Sequence, residues 1–180
     1  MKRVLALLLA LMMVMSLCGC EGKRPTYGAV AEPLVVTFEE NADKSAQEIA
    51  DELLKDPNLG FMGATMPVEE GMLNGFGNAE IKGFDEGVMF GPAIGTIPFI
   101  GYVFTLNDDT DIDEFKQTLE DNADLRWNIC TEADELVVES EEDKVIVIMT
   151  PEKFDSEGQV PVYDGGNLDE FEDGELEELE

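Results

Sequence analysis

The side chains able to do chemistry in this sequence are carboxylates and thiols, because its 180 residues include 41 Asp and Glu and 3 Cys but no His. Without imidazole, Ser-His-Asp and Cys-His nucleophilic mechanisms and His-held zinc are excluded. Adjacent carboxylates such as Glu69-Glu70 and Asp108-Asp109 are the residue types of a hydrolase built on two acids. Such a pair works only when the fold sets two carboxyls across a substrate, and adjacency is common by composition alone in so acidic a chain. No catalytic residue is assigned on that basis.

The run Asn107-Asp108-Asp109-Thr110-Asp111-Ile112-Asp113-Glu114 alternates acids as calcium loops do. An EF-hand needs Gly at its sixth place and Glu at its twelfth, and neither the frame from Asn107 nor that from Asp109 supplies both. Helix capping fits better: Asp and Thr accept the orphan N–H groups of a first turn, and Ile112, Phe115 and Leu119 follow at helical spacing. No metal ligand and no cofactor site is assigned. Cys130 has Glu132, Asp134 and Glu135 just downstream, which do nothing to favour a thiolate, so it is expected as a small buried residue. Trp127, the only tryptophan, is expected chiefly as a core aromatic, with a binding platform as the alternative. Arg126 is expected to form a weak exposed pair with one of the many carboxylates.

The most specific signal is an address. Lys2 and Arg3 precede an apolar run from Val4 to Met15, and Ser16-Leu17-Cys18-Gly19-Cys20 closes it. A positive start, a short apolar middle and small residues at the exit are the layout of an export signal, and the run is shorter than the roughly 20 residues of a membrane span. Leu17-Cys18-Gly19-Cys20 resembles the lipobox of bacterial lipoproteins. That resemblance implies that Cys20 is lipidated and becomes the mature N-terminus, which places the protein on the extracytoplasmic face of a bacterial membrane. Cys18 would leave with the signal, so Cys130 would remain as the only free thiol and no internal disulfide could form.

Charge narrows the partners. With 11 Lys and Arg the formal charge is −30, which repels phosphate backbones and anionic head groups. Nucleic acid is excluded as a partner, and contact with the bilayer is expected through lipidated Cys20. Residues 152–180 carry twelve acids and one Lys. They are expected as a disordered solubilising tail, weak divalent-cation binding being its secondary use.

These features need elements to position them. Residues 20–33, with two Gly and two Pro among mixed charges, are expected as a tether, and 34–151 as one globular domain. Leu34-Val35-Val36-Thr37-Phe38 has strand composition. Ser45 and Glu48 have capping-box spacing before Ile49, Leu53 and Leu54, which predicts a helix ending ahead of Pro57. Residues 59–106 hold ten Gly and six Phe. They predict short strands, among them Ile81–Phe84 and Val88–Phe90 with a turn over Asp85-Glu86-Gly87.

Gly87 to Asn107 is uncharged for 21 residues, but its prolines and glycines disfavour a membrane helix, so Phe99–Leu106 is expected as a buried central strand. Leu136-Val137-Val138 and Lys144–Met149 predict a closing hairpin. The fold class is therefore α+β: a small, mostly antiparallel sheet with two covering helices, both on one face. The order strand, Asp-capped helix, strand, strand over residues 99–150 is similar to small α/β lipoproteins of bacterial envelopes.

Two functions are expected from these readings. The first is a non-enzymatic interaction or scaffolding module for an envelope protein. The alternative is a lipoprotein that binds a small ligand or a divalent cation. Apolar space among Phe76, Phe84, Phe90 and Phe99 would favour a ligand, and a filled core with an exposed apolar patch would favour a protein.

Overall fold

The structure, a computed structural model, describes residues 25–94, 97–128 and 130–154. The expected signal, the lipidation site Cys20 and the tail from residue 155 lie outside the described residues. The first helix, α1 (Ala31–Glu40), corrects the expected strand at Leu34–Phe38. Ala31, Leu34, Val35 and Phe38 are its buried residues, the i, i+3, i+4, i+7 set of one helix face. Pro33 falls within the first turn, where its missing N–H costs nothing. Burial of that stripe overrides the β-branched composition of Val35-Val36-Thr37.

Helix α2 (Ala46–Leu53) begins as expected. The Ser45 hydroxyl accepts from the Glu48 N–H while the Glu48 carboxylate accepts from the Ser45 N–H, completing a capping box. Glu86 adds a second cap from the sheet, its carboxylate accepting from Ala46 N at 3.0 Å and Gln47 N at 3.3 Å. The Ser45 hydroxyl and N–H hold the Glu48 carboxyl below the usual carboxylate range. Its contribution is therefore present above that range and lost as pH falls through the lowered value. Ser45→Ala is expected to cost about 1 kcal/mol at neutral pH, read as a melting temperature a few degrees lower. The gap between variant and parent should narrow below the carboxylate range.

A five-stranded antiparallel sheet has the order β1-β4-β5-β7-β6. Its members are β1 (Gly63–Val68), β4 (Phe84–Pro92), β5 (Ile100–Leu106), β6 (Glu135–Glu141) and β7 (Lys144–Thr150). A two-residue pair, β2 (Gly71–Met72) with β3 (Glu80–Ile81), forms a small second sheet. The α+β class holds, β5 is the central strand, and β6 and β7 form the expected hairpin. All seven residues of β7 are buried, as a strand covered on both faces requires.

That double covering corrects the placement of the helices, of which the described residues form three. Helices α1 and α2 pack on one face, over Val88, Phe90, Val103, Val137, Ile146 and Ile148. The third, α3 (Ile112–Asn122), packs on the other with Phe104, Val145, Val147 and the β2–β3 excursion. Asp111 caps α3, its carboxylate accepting from Glu114 N at 3.0 Å, so the acid run at 107–114 opens a helix as expected.

One local reading also changes. Asp85-Glu86-Gly87 is no turn but the site of a register shift within a continuous β4, while the chain turns one step earlier at Gly83, with φ +102°. The packed body begins before residue 34: Val30 and Ala31 are buried and Tyr27 packs against the core. It also continues past Pro151, because Phe154 packs against Phe61 and Phe99, with ring centroids 5.7 and 6.4 Å away.

Candidate functional site

Several carboxylates, Glu70 of the expected pairs among them, are spent on the backbone. Glu70 accepts from Gly83 N at 2.6 Å, Asp56 from Asn58 N at 2.7 Å and Asp124 from Arg126 N at 2.9 Å. Glu135 takes Gly28 N with both oxygens at 3.0 Å, and Asp134 takes Glu152 N at 3.1 Å. Charge-assisted bonds of this kind fix loop and terminus geometry. Tyr27 donates its hydroxyl to Glu139, and the Lys116 ammonium lies 3.4 Å from the same carboxylate. Burial, then the Glu139 bond and charge, raise the Tyr27 phenol well above its ordinary value.

The structure does not bring the sequence-predicted acid pairs into a site. Glu69, Glu70, Asp108 and Asp109 are all exposed, the first two between β1 and β2 and the others between β5 and α3. Among the described residues no three Asp, Glu or Cys side chains are grouped to hold a metal ion. Arg126 reaches Glu132 at 3.4 Å in an exposed pair, which contributes little. Cys130 corrects the expectation of burial, because it is exposed. It sits in a loop between α3 and β6, where a small apolar side chain has no core to enter.

Phe76, Phe84, Phe90 and Phe99 are all buried, divided between the two core layers. Phe90 and Phe99 reach the wall of a cleft, which Phe76 and Phe84 do not. This open cleft of about 470 Å3 lies at the end of the sheet where β4 finishes and β5 starts. Met89, Ile97, Phe99 and Ile100 form its apolar wall, and Trp127, Asn74 and Asn128 complete it. Trp127 is only half-buried, so the core reading of this residue is partial: it packs against the α3-side core and also faces a cleft.

Local structure presents these groups. Gly75, at φ +91°, turns the excursion after Asn74 and bonds its carbonyl to Asp124 N at 2.8 Å. The buried Tyr102 donates its hydroxyl to the Asn74 carbonyl at 2.8 Å. Both bonds anchor Asn74 beside the connection that carries Trp127. Sequence singled out Trp127 but missed Asn74 and Asn128, whose amides have no pattern to mark them.

The same end of the molecule carries an apolar surface. Met62 and Ile94 are 81% and 88% exposed there, while Met66, at 51%, lies farther along β1 and Met72, at 69%, lies in β2. Ala93 N donates to the Met62 carbonyl at 2.9 Å, so Met62 and Ile94 both lie where β1 starts and β4 ends. That bond also sets the ladder phase: Gly63 and Thr65 turn their N–H groups to the open edge of β1, and Pro67 has none to turn. No helix among the described residues is long and apolar enough to cross a membrane. The chain matches no protein-family model, no curated protein and no solved structure.

Proposed function

We propose that this protein is an extracytoplasmic interaction module, tethered to a bacterial membrane by lipid on Cys20, that holds another envelope protein and turns over no substrate. The observation that carries the reading is that Met62 and Ile94, both strongly exposed, lie at the end of β1 and β4 where the β1 edge is open. In a chain with 41 acids, large apolar side chains grouped at a strand edge are the exception to a charged surface, and such groups mark contact sites. The filled core supports the same reading, as do the carboxylates turned onto backbone N–H groups.

Crosslinking and affinity recovery from intact cells test it. Three forms are compared: the full chain, a Met62→Ser/Ile94→Ser variant and a chain ending at Phe154. A specific envelope protein is expected with the full and shortened chains and is expected to be lost with the double variant. Recovery that ignores the double variant but needs residues 155–180 would assign binding to the acidic tail and overturn the surface. Recovery of nothing above an unrelated lipoprotein control would overturn the module itself.

A further inference from the structure

The cleft at the end of β4 has a chemistry that the apolar edge does not explain. Its walls carry no Asp, Glu, Lys or Arg, although the chain holds 52 such residues, 41 acidic and 11 basic. A charged ligand would therefore find no partner for its charge in the cleft and a strongly negative molecule around it. The side-chain amides of Asn74 and Asn128 and the indole N–H of Trp127 are committed to no hydrogen bond among the described residues. Each amide offers both donors and an acceptor, whereas the indole offers a donor on a broad apolar face.

A volume of about 470 Å3 lies within the range of small-ligand sites, about 300–1,000 Å3. The matching ligand is uncharged, has one apolar face for the indole and carries several groups that both donate and accept. A purely apolar molecule would leave the amides unmatched, at a cost in desolvation. A phosphorylated or carboxylated one would meet the field of the chain.

We propose that this cleft binds an uncharged sugar ring, its C–H face against Trp127 and its hydroxyls met by the amides of Asn74 and Asn128. The inference goes beyond the protein-holding surface and uses different residues, so either reading can fail alone.

Trp127 is the only tryptophan, so its emission reports on the cleft directly. The full chain is titrated in a polyoxyethylene detergent, which has no sugar head group, with maltotriose, cellotriose, triacetylchitotriose, an anionic galacturonate trimer and triethylene glycol. Protection of Cys130 from alkylation, read at the peptide level by mass spectrometry, is the second readout, because this thiol is exposed and lines the cleft. A saturable emission change with at least one neutral trimer is expected, with slowed alkylation of Cys130 and no response to the galacturonate trimer. Asn128→Ala and Asn74→Ala should each weaken it about tenfold or more, a loss typical of a removed ligand hydrogen bond. Met62→Ser should leave it unchanged.

Silence toward all three neutral trimers would overturn the proposal, as would an equal response to triethylene glycol or to the anionic trimer. So would binding that survives both Asn variants, each shown by its melting curve to be folded.

Discussion

Phe104→Ala is expected to remove a large part of the stability of the fold, shifting the denaturation midpoint by the equivalent of about 3–5 kcal/mol against a typical total of about 5–15. Phe104 is fully buried in the central strand β5. Its ring stacks on Tyr102 with centroids 5.6 Å apart and planes 6° from parallel, tilts against Phe84 at 4.9 Å and meets the edge of Phe115 at 5.4 Å. Through Phe115 it ties α3 to the sheet, and through Tyr102 it supports the hydroxyl that holds the Asn74 carbonyl. Truncation would leave a void bounded by three rings on different elements, which cannot close without moving a helix or a strand. Equilibrium unfolding in urea, followed by circular dichroism, measures the loss. Phe104→Leu, which keeps most of the volume, should cost much less, and a loss below about 1 kcal/mol for Phe104→Ala would show that this layer is not the packed core described above.

The sequence made β5 legible because a strand covered on both faces must be apolar at every position, and an uncharged run of that length is unmistakable. Helix α2 was legible for a different reason: Ser45 and Glu48 satisfy each other locally, so the signal needs no tertiary context. Helix α1 was misread because Val35, Val36 and Thr37 outweighed the spacing of Ala31, Leu34, Val35 and Phe38, although that spacing was present. Placing all helices on one face missed the evidence of β7 itself, whose unbroken apolar run demands cover on both sides.

The candidate cleft was legible only at Trp127. Its other polar groups are brought together by the β2–β3 excursion and the loop after α3, contacts between residues some fifty positions apart that leave no periodic trace. The glycines of residues 59–106 serve different ends. Gly83 and Gly75 serve positive φ angles, Gly87 lies in the strand beside the register shift, and Gly91 meets only ordinary contacts.

Gly101 has the closest neighbour of the described glycines. It faces Phe90 directly across the β4–β5 ladder, and a Cβ built on it would stand 2.3 Å from Phe90 Cζ and 2.5 Å from Cε1. Phe90 is itself fully buried and packs on Phe99 with ring centroids 5.8 Å apart, so its ring must shift against its neighbours to admit the carbon. Gly101→Ala is therefore expected to destabilise the protein by about 1–3 kcal/mol, the usual cost of one carbon too many in a close-packed core. Gly91→Ala is the control: its added carbon would lie 3.5 Å from the nearest atom, the Phe99 carbonyl oxygen, and the effect should be small. Phe90→Leu would shorten the opposing side chain, so the pair Gly101→Ala/Phe90→Leu should cost less than the two single changes together, a coupling readable in a double-mutant cycle. Simple additivity would mean that Phe90 does not lie over Gly101. Phe90 and Ile100 also line the cleft, so the residue that answers to Gly101 across the ladder is shared between the core and the cleft wall.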